Sequence, residues 1–214
     1  MFRKFITLEG IEGSGKTSQI RMLASHLENS GIQVRMSREP GGTAIGDAVR
    51  PILLCWENTG MAPLTELFLI AACRAQHVEE VLLPSLEMGK VVLCDRFTDA
   101  TLAYQGYGRG LELEMVREVN ALAAHGLVPG LTILLDCPVE VGLERSRKRL
   151  SLEGKTWSEG RFEAEERSFH QRVREGYLEL ARQEPGRFRV IDAGRSPGEV
   201  ASDVLQQVME HLGL

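Results

Sequence analysis

No run of apolar residues in this 214-residue chain approaches the roughly 20 that a membrane-spanning helix needs. The longest pieces, such as Leu131–Leu135, suit buried strands, and no membrane partner is expected. Positive charge is not in excess either. Lys and Arg number 25 against 30 Asp and Glu, a net charge of −5. Bulk nucleic-acid binding needs a basic surface, so it is not expected, although a local basic patch is allowed. Cysteines are few and scattered: Cys55, Cys73, Cys94 and Cys137 form no C-x-x-C pair. That pattern predicts reduced thiols in a cytoplasmic protein rather than a disulfide framework or a metal site. With Met1-Phe2-Arg3-Lys4 at the start and a functional loop already at Gly10, no cleavable leader is expected. No internal repeat, low-complexity tract or linker is present, and the composition is that of one globular domain spanning residues 1–214.

What is there is a regular alternation of short apolar runs and helical patterns. Strands are expected at Phe5–Leu8, Ile32–Met36, Val91–Cys94, Leu131–Leu135 and Phe188–Ile191. Helices are expected at Lys16–Asn29, at Ile45–Cys55 with a bend or interruption at Pro51, and at Pro63–Glu87 with a break near Pro84. Further helices are expected at Thr98–Gln105, Glu112–His125, Val139–Leu150, up to Gln183, and Pro197–Leu212. Strands that are apolar throughout are buried on both faces. The pattern therefore predicts an α/β fold: a parallel five-stranded sheet covered by helices, with right-handed crossovers and a site at the carboxyl ends of the strands. The polar, glycine-containing break at Ser151–Gly160 reads as a mobile lid.

The first strand runs into Gly10-Ile11-Glu12-Gly13-Ser14-Gly15-Lys16-Thr17, a full G-x-x-x-x-G-K-[ST] followed at once by a helix. The glycines let the backbone wrap closely, so that successive N–H groups and the helix N-terminus face phosphate oxygens. Lys16 supplies a cation for the outer phosphates, and the Thr17 hydroxyl can hold Mg²⁺. Thr17 and Asp95 are the candidate metal ligands. This motif establishes nucleotide binding, not the reaction.

Three classes of phosphate-loop protein compete. A GTPase switch should carry N-K-x-D, and the chain has none. A motor ATPase needs a strand-end carboxylate to place water, a part that Asp136 could imitate. A small-molecule kinase needs a second anion site. Arg38, Arg50, Arg74 and Arg96 fall where they could face one cleft, with Arg96 directly after a buried strand. Guanidinium forks suit a phosphate. The helix at Val139–Leu150 carries Arg145, Arg147, Lys148 and Arg149, with Arg161 beyond the break. These are either a solvated face or a lid, about residues 145–163, that closes arginines over a moving phosphoryl group.

Five segments resemble the bacterial thymidylate kinase family. They are Leu8–Thr17, Arg38-Glu39-Pro40-Gly41-Gly42-Thr43, Ala71-Ala72-Cys73-Arg74, Cys94-Asp95-Arg96-Phe97 continuing through Ala103-Tyr104-Gln105-Gly106-Tyr107-Gly108-Arg109-Gly110, and Leu134-Leu135-Asp136. The resemblance implies the P-loop NTPase three-layer fold of nucleoside monophosphate kinases, with strand order 2-3-1-4-5. It implies ATP and Mg²⁺, dTMP as acceptor, and a homodimer. Arg50 and Arg96 would then face the acceptor phosphate, and Arg74, Thr101 and Gln105 the base. Tyr104 would crowd the sugar 2′ position. Glu12 would hold the 3′-hydroxyl or groups beside the phosphates, and Glu39 would act near sugar and metal. ATP would lie on Gly10–Thr17 and Arg145. With no basic residue at Ile11–Ser14, the catalytic arginine would come from the lid, Arg161 first and Arg149 second, alongside Lys16, Arg96 and Glu12. The family commonly has an aromatic ring four residues before the arginine equated with Arg74; here Ile70 stands there, and apolar contact would replace stacking. Thr101 stands where serine is common. A deoxynucleoside kinase using Glu39 as base, or a nucleotide-driven binding ATPase, remain the alternatives.

Overall fold

The computed structural model describes residues 2–214; Met1, part of the amino-terminal stretch considered above, lies outside them. Five strands form one parallel sheet: β1 (Phe2–Glu9), β2 (Val34–Arg38), β3 (Val91–Asp95), β4 (Pro129–Asp136) and β5 (Phe188–Asp192), in the order β2-β3-β1-β4-β5. Register brings Leu8 and Arg38 level with Asp95, so three strand ends meet at one edge.

Alternation along the strands sorts the core into two layers. Ile6, Leu8, Leu131, Ile133 and Leu135 pack under α1 (Lys16–Asn29) and the final helix, Pro197–Leu212. On the opposite face Phe5, Val92, Cys94 and Phe97 form one cluster, and Leu134, Tyr104, Phe169, Val173 and Tyr177 another. The intervening helices are α2 (Ala44–Leu54), α3 (Pro63–His77), α4 (Leu83–Glu87), α5 (Thr98–Thr101), α6 (Leu113–Ala123), α7 (Val139–Leu152), α8 (Thr156–Glu159) and α9 (Arg167–Gln183), with α10 at Pro197–Leu212. Pro51 lies inside α2 without ending it. The break expected near Pro84 is instead one widened π turn, Val78–Leu82, that carries α3 into α4. A wider turn moves the carbonyl of the preceding turn away from the proline ring. A second π stretch, Leu102–Gly108, extends α5 and carries Tyr104 and Gln105.

The segment expected to form a lid lies against the end of α2. The Trp157 ring on α8 stacks on Trp56, just after α2, with centroids 6.2 Å apart and planes at 12°. The backbone N–H of Arg161 donates to Leu54 O at 3.1 Å. All four cysteines are free thiols, three buried and Cys55 half-buried. No helix among the described residues is long and apolar enough to cross a membrane.

Candidate active site

A cleft of about 1300 Å³ follows the carboxyl edge of the sheet, larger than the ~300–1,000 Å³ of a pocket for one small ligand. Its wall includes residues 12–17, Arg145 and Arg149, and also Glu39, Arg50, Ile70, Arg74, Thr101, Tyr104 and Gln105; Asp95 touches Thr17, and Arg96 touches both Glu12 and Tyr104.

The phosphate loop is drawn tightly over the sheet. A Cβ on Gly10 (φ 137°) would lie 2.5 Å from Leu135 O, so only glycine fits there. Lys16 is buried, and its Nζ donates to Gly10 O at 2.9 Å, Ile11 O at 2.7 Å and Ser14 Oγ at 3.2 Å. Burial foremost, and then the Arg96 charge, push its pKa down to about 8. Gly10 and Ile11, expected on the nucleotide, are not on the cleft wall. Their carbonyls hold Lys16, and the Ile11 side chain packs in the core with Tyr104 and Leu143. Thr17 Oγ1 donates to Asp95 Oδ2 at 2.8 Å. This hydroxyl–carboxylate pair of hard oxygen donors fits Mg²⁺ carried in on a polyphosphate, which needs only one or two protein ligands.

Arg96 has φ 71°, a left-handed conformation that a side chain adopts at a cost of about 1–3 kcal/mol. That turn aims its guanidinium into the cleft: Nη2 donates to Glu12 Oε1 at 3.1 Å and Nη1 to Tyr177 Oη at 3.3 Å, with the Tyr104 ring 4.5 Å away. Tyr104 Oη also donates to Glu12 Oε1, at 2.6 Å. Burial alone would raise the Glu12 carboxyl, but the adjacent His170, Arg96 and Tyr104 hold it well below the usual carboxylate range. Arg50 is half-buried; Nη1 donates to Pro40 O at 2.7 Å, and burial and Arg38 lower its pKa. The Arg38 and Arg96 charges both bear on Arg50, a repulsion that an anion placed among them would relieve.

Arg74 is fully buried and clamped by Glu39 (2.8 Å), Asn120 (2.5 Å), Phe97 O (3.0 Å) and Thr101 (2.9 Å). Glu39 is claimed on its other oxygen by His77 Nδ1 at 2.9 Å. Despite burial, Arg74 and His77 hold its pKa below the usual value. Both oxygens are spoken for, which makes Glu39 a poor general base. Asp136 is similarly taken, by a bidentate Arg174 at 2.6 and 2.8 Å, so it cannot place a water as a motor ATPase requires. Ile70 reaches the cleft, whereas Phe68 is 55% exposed on the outside of α3.

Arg161 corrects the first choice of lid arginine. It is 1% exposed, off the cleft wall, with Nε donating to Leu53 O at 2.5 Å and Nη2 2.6 Å from Glu66 Oε2. Its neighbours make it an anchor of the lid. Arg149 faces the cleft, half-exposed, with Glu153 at 3.6 Å. Arg145 also lines it and donates to Ala193 O at 3.0 Å.

Several site residues escape the sequence reading. His170 Nδ1 stands 3.3 Å from Glu12 Oε2, and Tyr177 Oη donates to Glu9 Oε2 at 2.8 Å. The one signal is their spacing, i and i+7 on the buried face of α9.

A thymidylate kinase family model matches residues 8–204. The chain belongs to the thymidylate kinase family. It is 52% identical over 211 residues to a thymidylate kinase of Trichlorobacter lovleyi, covering 98% of this chain and 99% of that one. A thymidylate kinase of Syntrophotalea carbinolica is 57% identical over 196 residues, 92% of this chain and 90% of the relative. The crystal structure of thymidylate kinase from Ehrlichia chaffeensis superposes with a TM-score of 0.74 at 33% identity, covering 95% of this chain and 97% of that one. The strand order anticipated from the resemblance is the order observed.

Proposed function

We propose that this chain transfers the γ-phosphoryl group of ATP to the 5′-phosphate of dTMP, giving dTDP and ADP. One observation carries the reading: a single cleft is lined by Lys16, Arg145 and Arg149 and also by Arg38, Arg50 and Arg96, whose charges bear on Arg50. A cleft for ATP alone has no use for the second group. The acceptor phosphate has a second pKa near 6, so it arrives largely as a dianion and needs no general base. That removes the part a deoxynucleoside kinase would give Glu39, which its two partners already occupy.

The obstacle is repulsion. Two unit charges 4 Å apart oppose each other by about 4 kcal/mol at an effective dielectric of 20. In this reading Lys16 leaves its loop carbonyls for the outer phosphates of ATP, Arg50 and Arg96 hold the acceptor phosphate in line, and Arg149 reaches the group in transit. Mg²⁺ held at Thr17 and Asp95 would supply further positive charge to the phosphates. Lid closure over both nucleotides excludes water and so suppresses ATP hydrolysis. Tyr104, with its hydroxyl on Glu12, crowds the sugar 2′ position, while Glu12 faces the 3′-hydroxyl. Thr101 and Gln105 meet the base edge, and Ile70 supplies apolar contact.

We further propose a cytoplasmic homodimer. Ile45 and Ile52 on α2 and Leu64 and Phe68 on α3 are 56, 48, 41 and 55% exposed. Each pair shares a helix face, and the two helices pack together, so exposed apolar residues on neighbouring helices are offered to a second copy.

A coupled ADP-release assay over dTMP, dUMP, dCMP, dGMP and thymidine tests the function. Turnover should be greatest with dTMP. Equal turnover with thymidine would replace the reading with a nucleoside kinase, and acceptor-independent ADP release with a nucleotide-driven ATPase.

A further inference from the structure

Glu66, on α3, is fully buried, and four nitrogens converge on its two oxygens. Gln105 Nε2 lies at 2.8 Å, Arg109 Nε and Nη2 at 3.1 Å each, and Arg161 Nη2 at 2.6 Å. Burial by itself would raise this carboxyl, but the Arg109 hydrogen bonds and the Arg161 and Arg109 charges hold it below the usual range. An ionised carboxylate accepts hydrogen bonds and cannot donate. The Gln105 amide therefore has one orientation that satisfies Glu66: nitrogen inward, Oε1 away from it. Gln105 lines the cleft, and among the described residues its Oε1 has no protein partner.

The neighbouring hydroxyl has the opposite polarity. Thr101 Oγ1 accepts from Arg74 Nη2 at 2.9 Å, which leaves its own hydrogen to donate. The wall thus offers a donor at Thr101 and an acceptor at Gln105. The 4-carbonyl and ring N3–H of thymine or uracil present the complementary pair, acceptor beside donor. Cytosine presents the reverse, an amino group beside an unprotonated ring nitrogen, and is opposed at both points.

We propose that Glu66 is a positioning residue that sets the polarity of Gln105 and so makes the site select a pyrimidine with a ring N–H beside its 4-carbonyl over cytosine. The inference rests on the reading above that the acceptor base lies against Gln105. It adds a cause for base selectivity in a carboxylate that touches no substrate, held in place by the lid anchor Arg161.

The test compares kcat/KM for dTMP with that for 5-methyl-2′-deoxycytidine monophosphate, which keeps the methyl group and shape but reverses both edge groups. A site built on hydrogen bonds rejects a partner that cannot make them by about 10⁴-fold, so the wild type should prefer dTMP by at least about 10³-fold. Glu66→Gln has nearly the same shape but can donate as well as accept, which frees the Gln105 amide to turn. Its preference should fall at least about 10-fold, and adding Gln105→Met should lower it no further through position 66. Each ratio comes from one preparation, so loss of folded enzyme cancels. A wild type with no preference would overturn the placement of the base, and with it the acceptor reading. A strong wild-type preference that survives intact in Glu66→Gln would overturn the role of Glu66 alone. Should that variant not fold, hydrogen exchange of the Gln105 side-chain amide in the ¹⁵N-labelled wild type decides, assigned by its loss in Gln105→Met. Protected protons are expected, and exchange at the free-solvent rate would overturn the proposal.

Discussion

Lys16 must give up bonds to three oxygens of its own loop before it can reach a nucleotide. Arg96 is held at a left-handed backbone angle that the strand end enforces. Both side chains are held by neighbours in the resting fold and would exchange some of those bonds for an anion's oxygens. Lys16→Ala and Arg96→Ala should each lower turnover at least about 100-fold, while circular dichroism and thermal unfolding still report a folded chain. Near-normal turnover in a folded Arg96→Ala protein would remove it from the site. Glu9 sets a different expectation. Burial first, and then the Asp99 charge, raise its pKa to about 8. Between its ordinary value of 4.5 and about 8 the folded chain keeps a proton that the unfolded chain has released, so stability from this group falls as pH climbs through that window. Glu9→Gln has no such proton, and its melting temperature should vary less between pH 5 and 8 than the wild type's. Parallel curves would contradict the buried neutral carboxyl. Arg96 is legible in sequence because it follows Val91–Cys94, a strand apolar on both faces that must end at the sheet edge. Glu66 and His170 are not: each sits in an ordinary helical pattern, and only the fold brings them to Gln105 and Glu12.

At the scale of elements, the phosphate loop and α7 touch backbone to backbone. A Cβ on Gly142 would stand 2.5 Å from Glu12 O and 3.0 Å from the Ile11 side chain. Gly142→Ala should therefore push the loop off α7, cost about 1–3 kcal/mol of stability and weaken ATP binding in titration calorimetry; unchanged binding would show that the loop yields freely. The lid arginines should separate by readout. Arg149→Ala should lower kcat by about 10²-fold with little change in melting temperature. Arg161→Ala breaks a buried pair, worth about 3–5 kcal/mol, and should melt well below the wild type. The reverse pattern would return Arg161 to catalysis. Most helix boundaries follow from apolar spacing and turn residues; α1 and α10 lie just where Lys16–Asn29 and Pro197–Leu212 predict. The segment expected to form a lid resists such reading because residues 153–166 hold only one short helix and no periodic face. A buried arginine there looks the same in sequence as one reaching for phosphate. The π turns are equally silent, since a widened turn keeps the composition of a helix.

For the whole molecule, strand order and register place three strand ends at one edge, and α2 and α3 carry apolar side chains that face out. If that face joins two copies, Phe68→Glu should shift sedimentation from dimer to monomer, since a buried unpaired charge is costly; a dimer unchanged by the substitution would move the interface elsewhere. The lid spans from α7 to the rim formed by α2, and the chain's only two tryptophans, Trp56 and Trp157, are the rings that meet there. The molecule thus carries an intrinsic optical reporter at the contact between α8 and the end of α2. Separating the two rings would change the surroundings of both indoles at once, so emission from the native, unlabelled chain should report any opening of this joint.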